Sequence, residues 1–315
     1  MRGSDILATL PSSGASLLPG IWKAIQAGYY IQPAFQPLVL SSGGHTVKVW
    51  VATDALQLGE VGDSFRPMAS ALLAQRVADH LGLYLPTAKI VRAAYQDAQA
   101  TGILVAPKTQ PASSADRITQ GYSPSMNDRD AMVRHSWEVS KAVQYAPGGA
   151  NATGGTPRIY SSGKNWVVDK KLASKPGAGC NHGWYTSSAP YRDAKGVSLW
   201  QDRGCAHNAG TDLERDPGHY DYSQTLSELV YPWVQVDERD WRDWAEVLKN
   251  PSLAGVVNDD GPLPTARPYV AGGSLPQLPV PTDAPSGPGA MEILLTSIVA
   301  SVAVVGGVFV LSRLV

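Results

Sequence analysis

The sequence predicts an α+β fold, with N-terminal helices packed on a loop-rich antiparallel sheet, plus a C-terminal transmembrane helix. Three observations carry this prediction. Apolar residues recur at helical spacing in segments between residues 67 and 145. From residue 146 onward, short runs divided by turn-forming residues take over, as in strands. The chain then closes on residues 293–312, an apolar run without a charge. Helices grouped ahead of strands point to α+β rather than alternating α/β architecture.

Composition sets the frame. With 315 residues and 43% apolar side chains, the chain can bury a core without staples. The formal net charge is −1, and no basic stripe with interleaved aromatics runs along the chain. Nucleic acid is therefore not an expected partner. The 31 glycines and 24 prolines predict many loops. Nine tryptophans against three phenylalanines lean towards binding surfaces, because Trp joins an apolar body to a polar edge; half-exposed core positions are the plainer account. Asp5, Pro11 and Pro19 interrupt the first twenty residues, so a cleaved signal peptide is not expected.

Residues 1–45 read as an N-terminal extension and residues 46–270 as one globular domain. Val47, Val49 and Val51 alternate with Lys48 and Trp50, the pattern of a strand. Pro67 suits the first turn of a helix whose face carries Ala71, Ala74, Ala78 and Leu81, and Gly82 suits its end. A second helix restarts after Pro86, with Ile90, Val91, Ala94 and Ala98 inward and Gly102 as the stop. Residues 128–145 form a third, with Asp128 as a cap. Beyond them, 157–169 read as a hairpin about Ser162-Gly163, and 196–202 and 225–237 as strands. Trp241, Trp244 and Leu248 stand at helical spacing in a short amphipathic helix.

The tail is membrane-like. Residues 293–312 give about 30 Å of helix, the thickness of a hydrocarbon core. Gly306 and Gly307 would let a second helix approach closely, a route to self-association. Residues 271–290, with five prolines, read as a semi-extended tether. Residues 291–315 are then a C-terminal, single-pass anchor.

Two fragments nearly repeat, "GCNHG" at 179–183 and "GCAHN" at 204–208. Three readings of them stand side by side. Cys180, His182, Cys205 and His207 offer zinc-type ligands, although Cys-x-His is not the usual structural spacing. A Cys180–Cys205 disulfide would close a loop of about 25 residues and add roughly 3 kcal/mol on the chain-entropy model. Two unconnected buried thiols are the plain alternative. Nearby, "HYDYSQ" (219–224) alternates. If extended, it puts His219, Asp221 and Ser223 on one face about 7 Å apart, too far for a direct His–Ser bond. His207 would have to arrive from elsewhere as base. An all-oxygen-and-nitrogen set of His182, His207, His219 and Asp221 would suit zinc with one position open for water. The competing account is that Asp221 and Ser223 fix a turn and the histidines are satisfied surface groups. His45 follows a Gly-Gly turn, while His80 and His135 fall on helices.

The order of several motifs resembles a widespread, poorly characterised family of bacterial and phage proteins. They are "LPTAKIV" (85–91), "VVDKKLASKP" (167–176), "HGWY" (182–185), "LWQ" (199–201), "YDYSQTLSELV" (220–230) and "VLKNPSLAGVVNDDGPL" (247–263). The likeness spans roughly residues 46–263 and implies one α+β domain. It carries no activity with it. It does single out Lys170, Gln201, His207, Asp221, Tyr222 and Ser223. On a hydrolytic reading the expected roles are catalytic for His207, Asp221, Ser223 and Lys170, and substrate contact for Gln201, Trp184 and Tyr222. Many relatives have "GWH" and "DYSH", where this chain has Tyr185 and Gln224. The Cys pair is not part of the pattern, which favours a local disulfide over a shared metal site.

Two functions follow as expectations. One is a membrane-tethered hydrolase acting on cell-wall polymer through the His/Asp cluster, with zinc as a candidate cofactor. The other is a non-catalytic structural or binding protein of a virion or cell envelope.

Overall fold

A computed structural model of the chain describes residues 1–14, 16–101, 104–105, 110–111, 113–145, 164–174, 178–183, 201–202, 207–208, 220–227 and 229–269. In chain order the elements are α1 (Gly3–Thr9), α2 (Leu17–Gln26), β1 (Tyr30–Ile31), β2 (Phe35–Ser42), β3 (His45–Ala52), β4 (Gln57–Glu60), β5 (Asp63–Phe65), α3 (Ala71–Leu81), α4 (Ala88–Ala100), α5 (Ser114–Thr119) and α6 (Arg129–Tyr145). Then come β6 (Lys164–Trp166), a 3₁₀ turn (Lys170–Ser174), β7 (Ala178–Gly179), β8 (Asn181–Gly183), β9 (Gln201–Asp202), β10 (His207–Asn208), β11 (Trp233–Val236), β12 (Asp240–Asp243), α7 (Trp244–Lys249) and α8 (Ala254–Val257). Mixed helices and antiparallel ladders make this an α+β fold.

The main sheet has the order β12-β11-β3-β2. Val47, Val49 and Val51 of β3 are fully buried, as their alternation predicts. The sequence suggested helices first and strands afterwards, and the observed order differs. Five strands precede α3, and β11 returns to pair with β3 through Gln235↔Lys48 and Val236↔Val47. Two ends of the chain thus build one sheet. Residues 1–45 belong to the same core. Leu17, Leu18, Ile21 and Ile25 of α2 are fully buried within it, at the spacing of one helical face. Pro19 sits in the first turn of α2, where a helix needs no N–H partner.

Helix starts are set by caps rather than by proline. α3 begins at Ala71, not Pro67, because the Ser70 side chain accepts from Leu73 N. Gly82 closes it at φ 69°, a left-handed conformation that glycine adopts without strain. Thr87 caps α4 in the same way through Ile90 N, and Asp128 Oδ1 accepts from Ala131 N at the start of α6. The expected 239–250 helix is half strand. Asp237 and Glu238 take positive φ and fold the chain into a β11–β12 hairpin, so Trp241 lies on β12. Its ring stacks on Trp50 at 5.1 Å. Trp244 and Leu248 do lie on a helix, α7, buried in the core.

No helix among the described residues is long and apolar enough to cross a membrane. The expected tether and anchor, 271–290 and 291–315, lie outside the described residues, as does the hairpin turn at Ser162-Gly163.

Candidate functional site

The second sheet, of order β6-β8-β9, carries the first histidine fragment. Lys164 pairs with Gly183, Asn165 with His182 and Trp166 with Asn181. On its other side Lys164 bridges to Gln224, and its N–H donates to Ser223 O at 2.7 Å. β6 therefore docks the 220–227 segment against the fragment around His182. Trp166 fixes this sheet to the main core through its Nε1 bond to Ala69 O at 2.7 Å. Gly179 permits that approach, since a Cβ there would lie 2.6 Å from the Trp166 ring.

The 219–224 stretch was expected to be extended. Its described part is a turn, closed by Gln224 N donating to Asp221 O at 3.0 Å. The turn brings Asp221 and Ser223 into direct contact. Asp221 Oδ1 accepts from Ser223 N at 2.8 Å and from Ser223 Oγ at 2.5 Å. Asp221 N donates to Gln224 Oε1 at 2.9 Å. This is the self-bonding through which aspartate stabilises turns. Asp221 Oδ2 accepts from Lys164 Nζ at 2.6 Å, with both side chains about 8% exposed. Both carboxylate oxygens are thus engaged inside the protein.

These contacts bear on several expected roles. Ser223 is fully buried and donates to the Asp221 carboxylate, whereas a nucleophile needs access to its substrate. Tyr222, expected to contact substrate, packs inside the protein. It is buried, its hydroxyl accepts from Gln110 N at 2.7 Å, and its ring meets the edge of His135 at 5.1 Å. Burial pushes its phenol far above the ordinary tyrosine range. The lysine at Asp221 is Lys164 rather than Lys170. Lys170 is exposed on the 3₁₀ turn and lines a shallow depression of about 450 Å³ with Lys171, Ala173, Ser174 and Asp260.

Among the described residues, His182 is the one histidine of the expected zinc set whose side chain is placed. Neighbouring strand residues point to opposite faces. Lys164 and its partner Asp221 take one face of β6, whereas Asn165 and its register partner His182 take the other. His182 is buried. No group of three or more His, Cys, Asp or Glu among the described residues could hold a metal ion. The backbone of His207 does pair with Gly179 across β10 and β7, which joins the two Gly-Cys-x-His fragments side by side. Gln201 pairs with Gly183 through its backbone. The side chains of His207 and Gln201, and all of Trp184, Cys205 and His219, lie outside the described residues. Cys180 is buried and disulfide-bonded, and Cys205 is the chain's one other cysteine.

Sequence reasoning missed Lys164, Asn165 and Asn181, all buried. A lysine at the start of a short strand reads as a solvated end, and no local pattern shows its distant partner. The signal that existed was the "KNW" run entering "VVD", with polar residues where a strand inside a sheet would need partners. No protein-family model, curated protein or solved structure matches the chain.

Proposed function

We propose that the chain is a non-catalytic structural or binding module, carried at a membrane of a cell envelope or virion by its C-terminal segment. One observation carries the non-catalytic part. Asp221, the carboxylate on which the hydrolytic reading depends, is buried and holds Lys164 and Ser223 with its two oxygens. A catalytic carboxylate must orient a base or meet substrate; this one fastens the 220–227 segment to β6. The uncharged run at 293–312 and the proline-rich 271–290 support the membrane part. The disulfide at Cys180 fits an oxidising location.

The test uses the full chain in lipid nanodiscs with purified cell-wall polymer. Released soluble fragments are measured for wild type and for the Lys164→Met/Asp221→Asn pair. The proposal expects no release from either protein. Steady release by wild type, lost in a pair variant that still melts cooperatively, would overturn it.

Hydrolysis of cell-wall polymer is a second reading, favoured by the β10–β7 pairing. That pairing sets the backbone of His207 opposite Gly179, only three residues, or about 10 Å of strand, from His182. In that case the histidines, not Asp221, would carry the chemistry. The same release assay with His182→Ala and His207→Ala separates the two readings.

A further inference from the structure

We infer that the outer face of α5 and α6 is a contact surface for an anionic lipid bilayer, a reading that rests on the proposed C-terminal anchor. Trp137 of α6 is 46% exposed, among the few large apolar side chains left so open. It is also held between two cations. Arg134 lies 4.8 Å from the ring centroid and Lys141 lies 4.1 Å from it. These residues sit three before and four after Trp137, on one helix face. Arg134 also covers the Tyr122 ring at 5.0 Å. Tyr122 ends the turn that leaves α5, and Ile118 near the end of α5 is 60% exposed.

Two of the acidic groups nearby, Glu138 and Asp130, pair with cations. Glu138 accepts from Arg134 Nε at 2.9 Å and from Tyr122 OH at 2.8 Å. Asp130 pairs with Arg129, and Asp116 accepts from Ser113 at the start of α5. Lys141 is exposed to solvent.

The chemistry matches the headgroup layer. Trp and Tyr rings settle where apolar and wet regions meet, and long cations beside them reach lipid phosphates. A sugar platform is less suited, because stacking needs a bare ring face and here cations cover the ring. Each Lys or Arg near an anionic surface strengthens partitioning about fivefold. A proline-rich tether of some twenty residues would span roughly 25 Å as a coil and more when extended.

The experiment reconstitutes the full chain with vesicles of phosphatidylcholine alone or with about a third phosphatidylglycerol. Flotation reports attachment, and acetylation of Lys141, read by mass spectrometry, reports the face. The inference expects flotation on both vesicles but slower Lys141 labelling on the anionic ones. High salt should restore the rate, and so should Trp137→Ala. Flotation on both with equal Lys141 rates overturns the inference and leaves the anchor standing. Flotation on anionic vesicles alone, weakened about fivefold by Arg134→Ala or Lys141→Ala, supports the surface and removes the anchor. No flotation on either sinks both. Lys141 protection by soluble acidic polysaccharide but not by vesicles would transfer the face to a wall polymer and overturn the lipid assignment.

Discussion

Lys164 Nζ and Asp221 Oδ2 lie 2.6 Å apart, bridging 57 residues of sequence in an almost dry setting. Removing one partner strands the other charge where water cannot reach it. Lys164→Met should therefore cost about 3–5 kcal/mol, a large share of a typical domain's stability. Asp221→Asn added to it should recover much of that loss, since Asn keeps an oxygen for Ser223 and leaves no charge. Urea melts of both single variants and the pair test this as a double-mutant cycle. A pair no more stable than Lys164→Met would show that the bond to Ser223, not the buried charge, dominates.

Asp243 gives a pH signature of opposite sign to most carboxylates. Its Oδ1 caps α7 by accepting from Ala245 N at 2.8 Å, and it faces Tyr84 OH at 3.4 Å. Burial, the largest influence, pushes its carboxyl above the ordinary 3.8. The folded state then holds a proton that the unfolded chain has lost. Stability from this group is full below pH 3.8 and declines as pH rises through the folded value. Asp243→Asn keeps a capping oxygen and removes the titration. Its melting temperature relative to wild type should rise with pH across that window. A constant difference would show that the cap's N–H bonds offset the burial.

Residues whose partners are close in sequence were legible. The β3 valines and the α4 face of Ile90, Val91, Ala94 and Ala98 are all fully buried, because periodicity alone reports one-sided burial. What depended on distant pairing was not. Lys164 looks like a surface residue until Asp221 arrives. Trp241 fits a helix until Asp237 and Glu238 turn the chain. Asp237 does so while accepting from Thr46 N at 2.9 Å, a contact across most of the domain. The 219–224 alternation failed for a third reason. Asp and Ser close together can bond to their own backbone and to each other, and that local turn outcompeted the strand.

Cys180 is joined in a disulfide, and the chain offers Cys205 as its intramolecular partner. Closing a loop of about 25 residues contributes roughly 3 kcal/mol by restricting the unfolded chain. Reductant should lower the unfolding free energy of wild type by that amount and leave that of Cys180→Ala/Cys205→Ala unmoved. Peptide mapping without reduction should find residues 180 and 205 in one linked fragment. An unlinked map, or a variant that still responds to reductant, would refute the pairing.

His80 should make the fold acid-sensitive near neutrality. It stands in the last turn of α3, and its ring meets Trp22 edge-on at 5.6 Å. His80 is exposed overall, but desolvation of its ring by the groups packed around it draws its pKa below the ordinary 6.5, since the charged ring would lose water that the protein does not replace. The unfolded chain therefore takes up the proton first as pH falls. Its stabilising share is complete above pH 6.5 and drains away between that point and the lower folded value. A helix C-terminus favours a cation, which works against this, but desolvation of the ring prevails. Asp79, the neighbouring carboxylate, is already committed to Arg267 at 2.5 Å. His80→Phe retains an aromatic ring against Trp22 and cannot charge. Denaturation midpoints measured from pH 7.5 down to pH 5 should fall more steeply for wild type than for His80→Phe. Parallel curves would mean that the imidazole charges in the folded protein without penalty, and that the Trp22 contact is too open to exclude water.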